Sequence, residues 1–147
     1  MNQATKLAPY ILIALSLIGL GDTLYLSYFA YLNAIPGCAI GGCETVLTSV
    51  YSKLFGTPLA YIGLVYYAYL LGLSFLLAAE PNSKMLSLAT LAYTGVGVLC
   101  SAVFIYIQGA LIGAWCMYCL ISAALTAALF LVALWHYRDV RAIELRS

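Results

Sequence analysis

The chain has 147 residues, of which 65% are hydrophobic and 7% charged. A soluble fold of that composition would have almost nothing polar to present to water, so the chain is read as an integral membrane protein whose main surface partner is lipid. The formal charge of +1 comes without a basic stripe, which excludes a nucleic-acid binder.

The first apolar run, about 9–31, is long enough to cross ~30 Å of hydrocarbon at ~1.5 Å per residue. It exceeds the ~7–15-residue core of a secretory signal, and no small-residue cleavage site closes it, so it is expected to be a retained span. It carries Asp22, the one formally charged residue well inside a span. Carboxylates at membrane depth are costly enough to be functional candidates by default, here as a proton relay or a hydrogen-bonding group. The competing reading is a carboxyl satisfied by a Ser, Thr or Tyr of a neighbouring helix.

A loop of about 25 residues follows, 32–57. It holds CAIGGCET, before which Pro36 and Gly37 turn the chain. Gly41 and Gly42 supply the permissive dihedrals that fold Cys38 back toward Cys43, so a local disulfide is feasible. In the next stretch, ETVLTSVYSKLF, Val46, Val50 and Leu54 form one i, i+4, i+8 row and Leu47, Tyr51 and Phe55 an adjacent one. That pattern predicts an interfacial helix of about three turns, too short to span and suited to lying across the mouth of the bundle.

Spans at about 58–79, 85–108 and 115–136 complete the chain, joined by links 80–84 and 109–114 that are short enough to force antiparallel neighbours. The predicted fold is all-α: one domain over 1–147, a four-transmembrane-helix bundle with a single elaborated loop. Lys6, Lys84, Arg138, Arg141 and Arg146 fall at the end shared by both termini, against Lys53 alone at the other, so the termini are expected in the cytoplasm. Glycines and alanines in the spans, among them Gly19, Gly21, Gly63, Gly72 and Gly97, read as close-packing positions. Cys100, near the middle of the third span, reads as a structural thiol. His136, at the inner end, reads as an interfacial residue.

The fourth span opens with WCMYC, a C-x-x-C whose thiols, Cys116 and Cys119, would lie one turn apart. The partial positive charge of a helix start favours a thiolate there. Threading the topology puts Cys38, Cys43, Cys116 and Cys119 at one end of the bundle. Three readings are open on these residues: two structural staples, a tetrahedral zinc site in a tetraspan scaffold or sensor, or a thiol–disulfide relay. The staples add little to helices that already satisfy their backbone in lipid, and an oxidising outer face disfavours free zinc thiolates. Exchange fits best, since one pair is reachable by a protein and the other lies at lipid level.

The segments GLGDTLYLSY, CAIGGCETVLTSVYSKLFGTPLAYIGLVYYAYL and WCMYCL resemble the microbial homologues of vitamin K epoxide reductase, over nearly the whole chain. That resemblance implies an oxidoreductase that takes electrons from a thioredoxin-like partner and passes them to a quinone, supporting disulfide formation. Cys38 and Cys43 match the family's loop pair, and Cys116 and Cys119 its membrane pair. Many bacterial members carry a fused thioredoxin-like domain that this chain lacks, which implies a separate partner. Vertebrate members have an Asn in the second span and a Tyr four residues after the second C-x-x-C cysteine, both contacting the vitamin K head group. Leu59 and Ala123 stand at those positions here, which argues against epoxide reduction and for a ubiquinone- or menaquinone-type acceptor. Asp22, Leu59, Tyr61 and Ala123 are the expected quinone contacts, with Tyr106 and Gln108 as further pocket candidates.

Overall fold

The computed structural model describes residues 3–146. Four long apolar helices dominate it: α1 (Gln3–Tyr31), α3 (Leu59–Ala79), α4 (Lys84–Tyr106) and α5 (Met117–Arg146). Each is long and apolar enough to cross a membrane. A short helix, α2 (Cys43–Leu47), lies between the first two spans. α1 packs on α3 and α5, and α4 on α5 and more lightly on α3, which closes a ring of four antiparallel helices.

The bundle core is small, built from Leu12, Tyr67, Leu70, Leu77, Leu129 and Ala133. Large apolar side chains such as Leu17, Val65, Leu99 and Leu131 point outward, as lipid-facing positions must. Several buried hydroxyls are satisfied within their own helices: Ser74 donates to the Leu70 carbonyl, Thr90 to Leu86 and Thr94 to Thr90. The small residues do not act alike. A Cβ at Gly63 would meet the Thr23 methyl at 2.9 Å, and one at Gly97 the Thr126 methyl at 2.8 Å. Gly21 and Gly72 have nothing within 4 Å and are not packing positions.

Three boundaries differ from the sequence reading. α5 starts at Met117 and runs to Arg146, so its last turns carry Arg138 and Arg141 past the apolar run, and the Lys84 ammonium pairs with Glu144 at 2.8 Å. The third span continues beyond α4 as a π-helical segment, Ile107–Ile112, that ends at Gly113 with φ 70°. The predicted three-turn interfacial helix is only the five residues of α2, followed by a 3₁₀ turn (Val50–Ser52) and a two-residue antiparallel ladder, Lys53–Leu54 against Thr57–Pro58. Local hydroxyls end the helix: Thr48 donates to the Glu44 carbonyl, Ser49 to Val46 and Ser52 to Ser49. Phe55 and Gly56 then take positive φ values of 51° and 82°, closing the ladder as a hairpin. His136 is buried, 1% exposed, and does not face the interface.

Candidate active site

The four cysteines meet at the end of the bundle away from the termini. Cys38 and Cys43 are joined in a disulfide with Cα atoms 5.9 Å apart, whereas Cys116 and Cys119 are free thiols. The loop closes because Gly41 and Gly42 adopt φ values of 69° and 83°, a region that costs a residue with a Cβ ~1–2 kcal/mol. Gly42 has a second reason to be glycine: a Cβ there would lie 2.8 Å from the Trp115 carbonyl oxygen. This close approach seats the start of α2 against the start of α5. Cys43 and Cys116 are both fully buried in one cluster, with Val46 between the elements and Cys38 and Cys119 packed at its edges.

The cluster has two open sides. Cys38 is partly exposed on the loop surface. Cys119 lines a cavity of about 670 Å³ that runs down between α1, α3, α4 and α5 under the α2 loop. Such a volume is typical of a small-molecule site. Asp22, Leu59 and Ala123 line it, whereas Tyr61 does not. Ala123 sits one turn below Cys119 on the same helix face. Gln108 is also on its wall; Tyr106 faces outward, 68% exposed. Cys100 lines it too, at the third-span position read as structural.

Cys116 precedes the fourth span and acts as its N-cap, its carbonyl accepting from the Leu120 N–H at 3.0 Å. Its sulfur accepts from the Cys119 thiol and from the backbone N–H groups of Cys119 and Tyr118. Together these outweigh desolvation and the nearby Asp22 carboxylate and lower the Cys116 thiol to about 7. Cys116 is thereby held ready to ionise near neutral pH.

Two contacts hold the assembly that sequence reasoning did not assign. Gln108, buried on the π segment, accepts the Cys116 N–H through Oε1 at 2.9 Å, while its own carbonyl takes the N–H groups of Gly113 and Ala114. The Tyr118 hydroxyl donates to the Gly37 carbonyl at 2.6 Å, tying α5 to the loop just before Cys38. Among the described residues no group of three or more His, Cys, Asp or Glu is arranged to hold a metal.

A model of the vitamin K epoxide reductase family matches residues 10–134, a stretch that contains both cysteine pairs and the cavity. The chain belongs to that family. Among relatives of this vitamin K epoxide reductase family member is thiol-disulfide oxidoreductase LTO1 of Arabidopsis thaliana, 35% identical over 137 residues. That alignment covers 86% of this chain and 35% of the plant protein, so the chain spans about a third of the length of the curated relative it matches. Membership in this thiol-oxidoreductase family agrees with two cysteine pairs placed side by side for redox chemistry.

Proposed function

We propose that the chain oxidises a thioredoxin-like dithiol partner and delivers the electrons to a membrane quinone, so that each turnover makes one disulfide. The observation that carries this reading is the arrangement of four sulfurs: Cys38 toward water, Cys43 and Cys116 buried together, Cys119 on the cavity wall.

The partner's thiolate attacks Cys38, forming a mixed disulfide and releasing the Cys43 thiolate. The partner's second thiol then resolves the mixed disulfide, leaving the partner oxidised and Cys38 reduced. Cys43 attacks Cys116 of an oxidised C-x-x-C, and Cys119 leaves as a thiolate. Cys38 displaces Cys116 to restore the loop disulfide, so that both electrons reside on Cys116 and Cys119. A quinone in the cavity supplies the oxidising capacity, accepting two electrons and two protons as that pair returns to a disulfide. The cavity fits such a head group: it is largely apolar, touches Cys119, and presents the Asp22 carboxyl with Oδ2 buried and unpartnered. Asp22 hydrogen-bonds the head group or moves a proton to it. Leu59 and Ala123 offer only apolar contact, which favours a ubiquinone- or menaquinone-type acceptor over vitamin K epoxide.

Purified protein given a reduced thioredoxin-fold substrate and a short-chain quinone is expected to consume one quinone per disulfide formed, with each of C38A, C43A, C116A and C119A lowering the rate at least about 100-fold. D22N is expected to slow quinone reduction and alter its pH profile; full rates at every pH would remove Asp22 from the mechanism. One tightly bound zinc per chain with no quinone reduction would replace the reading by a metal-binding scaffold.

The charge distribution supports an orientation with both termini in the cytoplasm and the sulfurs outside. An impermeant thiol reagent applied to intact cells after reduction should label Cys38. Labelling only after lysis would invert the orientation.

A further inference from the structure

Among the described residues, two buried polar atoms on the cavity wall have no hydrogen-bond partner: Asp22 Oδ2 and the Tyr66 hydroxyl. Leaving a hydroxyl buried and unmade costs ~1–3 kcal/mol, so an orphan on a residue that lines a cavity is a group that a ligand there could satisfy after a small shift. Four other hydroxyls of this cavity's lining are committed. The Tyr67 hydroxyl bonds to those of Ser122 and Thr126 at 3.0 and 3.2 Å, and Thr23 donates to the Gly19 carbonyl at 2.9 Å.

Tyr66 is held rigidly. Its ring stacks on Tyr93 with centroids 4.9 Å apart and planes 12° from parallel, and meets Tyr67 edge-on at 5.2 Å. The Tyr93 hydroxyl donates to the Tyr66 carbonyl at 3.4 Å. Gly97 leaves the space the hydroxyl needs: a Cβ there would collide with it, and would also meet the Thr126 methyl at 2.8 Å. The hydroxyl therefore lies at the level of Thr126, which is seven residues and ~10.5 Å along α5 from Cys119 on the same face.

We infer that the Tyr66 hydroxyl is the hydrogen-bond donor to the quinone carbonyl farther from Cys119. The inference rests on the quinone-reductase reading above and names the group that fixes the acceptor's pose. The distances suit a para-quinone. Van der Waals approach to the Cys119 sulfur (~3.5 Å), the span between para oxygens (~5 Å) and a hydroxyl hydrogen bond (~2.8 Å) together reach about 11 Å. Leu59 and Ala123 cannot donate, so the donor has moved to the middle of α3. A hydrogen bond there also stabilises the negative charge that grows on the carbonyl oxygen as electrons arrive from the Cys116–Cys119 pair.

The test uses the full chain in lipid nanodiscs with a chemical dithiol donor and short-chain ubiquinone and menaquinone analogues. Tyr66→Phe keeps the stacked ring and removes only the donor. It should raise the KM for quinone about five- to tenfold while leaving unchanged the rate at which the dithiol reduces the Cys38–Cys43 disulfide. Tyr69→Phe, whose hydroxyl lies outside the cavity, should change neither. Infrared spectra of carbonyl-labelled quinone should show a lowered stretching frequency in the unaltered protein that returns to the lipid value in Tyr66→Phe. Equal KM and equal carbonyl bands in the two proteins would overturn the inference while leaving the quinone-reductase reading intact. Should Tyr66→Phe fail to fold, two unshifted carbonyl bands in the unaltered protein would overturn it alone. An unaltered protein that reduces neither quinone would sink the underlying reading, and is recognised before any variant is measured.

Discussion

At the residue scale the pair Cys116 and Cys119 divides its labour through one capping position. The Cys116 sulfur takes the place that a Ser or Asp oxygen usually takes at a helix start, accepting N–H groups two and three residues on. The cap favours the charged form of the thiol, so Cys116 ionises near pH 7, and below that pH the sulfur is protonated and loses most of its nucleophilicity. Thiolate ultraviolet absorbance in C38A/C43A protein should titrate with a midpoint near 7. Adding C119A should move that midpoint upward, because the Cys119 thiol is the largest of the lowering contacts; an unmoved midpoint would contradict this assignment. The four cysteines were legible in the sequence because C-x-x-C spacing and a topology count suffice to bring them to one end. Tyr66 was not, since nothing in a chain with 13 tyrosines distinguishes the one whose hydroxyl finds no partner.

At the element scale the segment that matters most is the π-helical turn Ile107–Ile112. It converts the end of the third span into a return that delivers Cys116 to the α2 cluster, and Gln108 is its pivot, holding Gly113, Ala114 and Cys116 at once. Gln108→Leu keeps the bulk and strips the acceptor, leaving the Cys116 N–H buried and unmade. Thermal denaturation should show a loss of ~1–3 kcal/mol, together with a slower reaction of Cys116 with disulfides. Wild-type stability in that variant would mean that the Gln108 contact contributes nothing. The sequence reading found the four spans because long apolar runs dominate everything else in them. It overextended the helix after Cys43, where apolar rows at helical spacing compete with Thr48, Ser49 and Ser52, which bond back to nearby carbonyls, and with the Phe55-Gly56 turn. Hydrophobic period is blind to that competition. The π segment was equally hidden, because a π turn and an α turn share one apolar pattern.

At the scale of the whole molecule, the proposed relay has the bundle separate two chemistries and join them through one buried contact. Cys38 sits on a loop whose backbone is pressed against Trp115, where the proposed water-side exchange would begin, and Cys119 lines the cavity between four helices, where the proposed electron delivery would end. Cys43 and Cys116 are where the two halves meet. The most direct measurement is therefore non-reducing peptide mapping of C38A and C119A proteins after exposure to quinone and a dithiol partner. Each substitution removes one resolving thiol, so at least one variant should accumulate a disulfide between Cys43 and Cys116. If neither holds that bond, while the unaltered protein turns over, electrons do not pass between these two sulfurs and the relay described here is wrong.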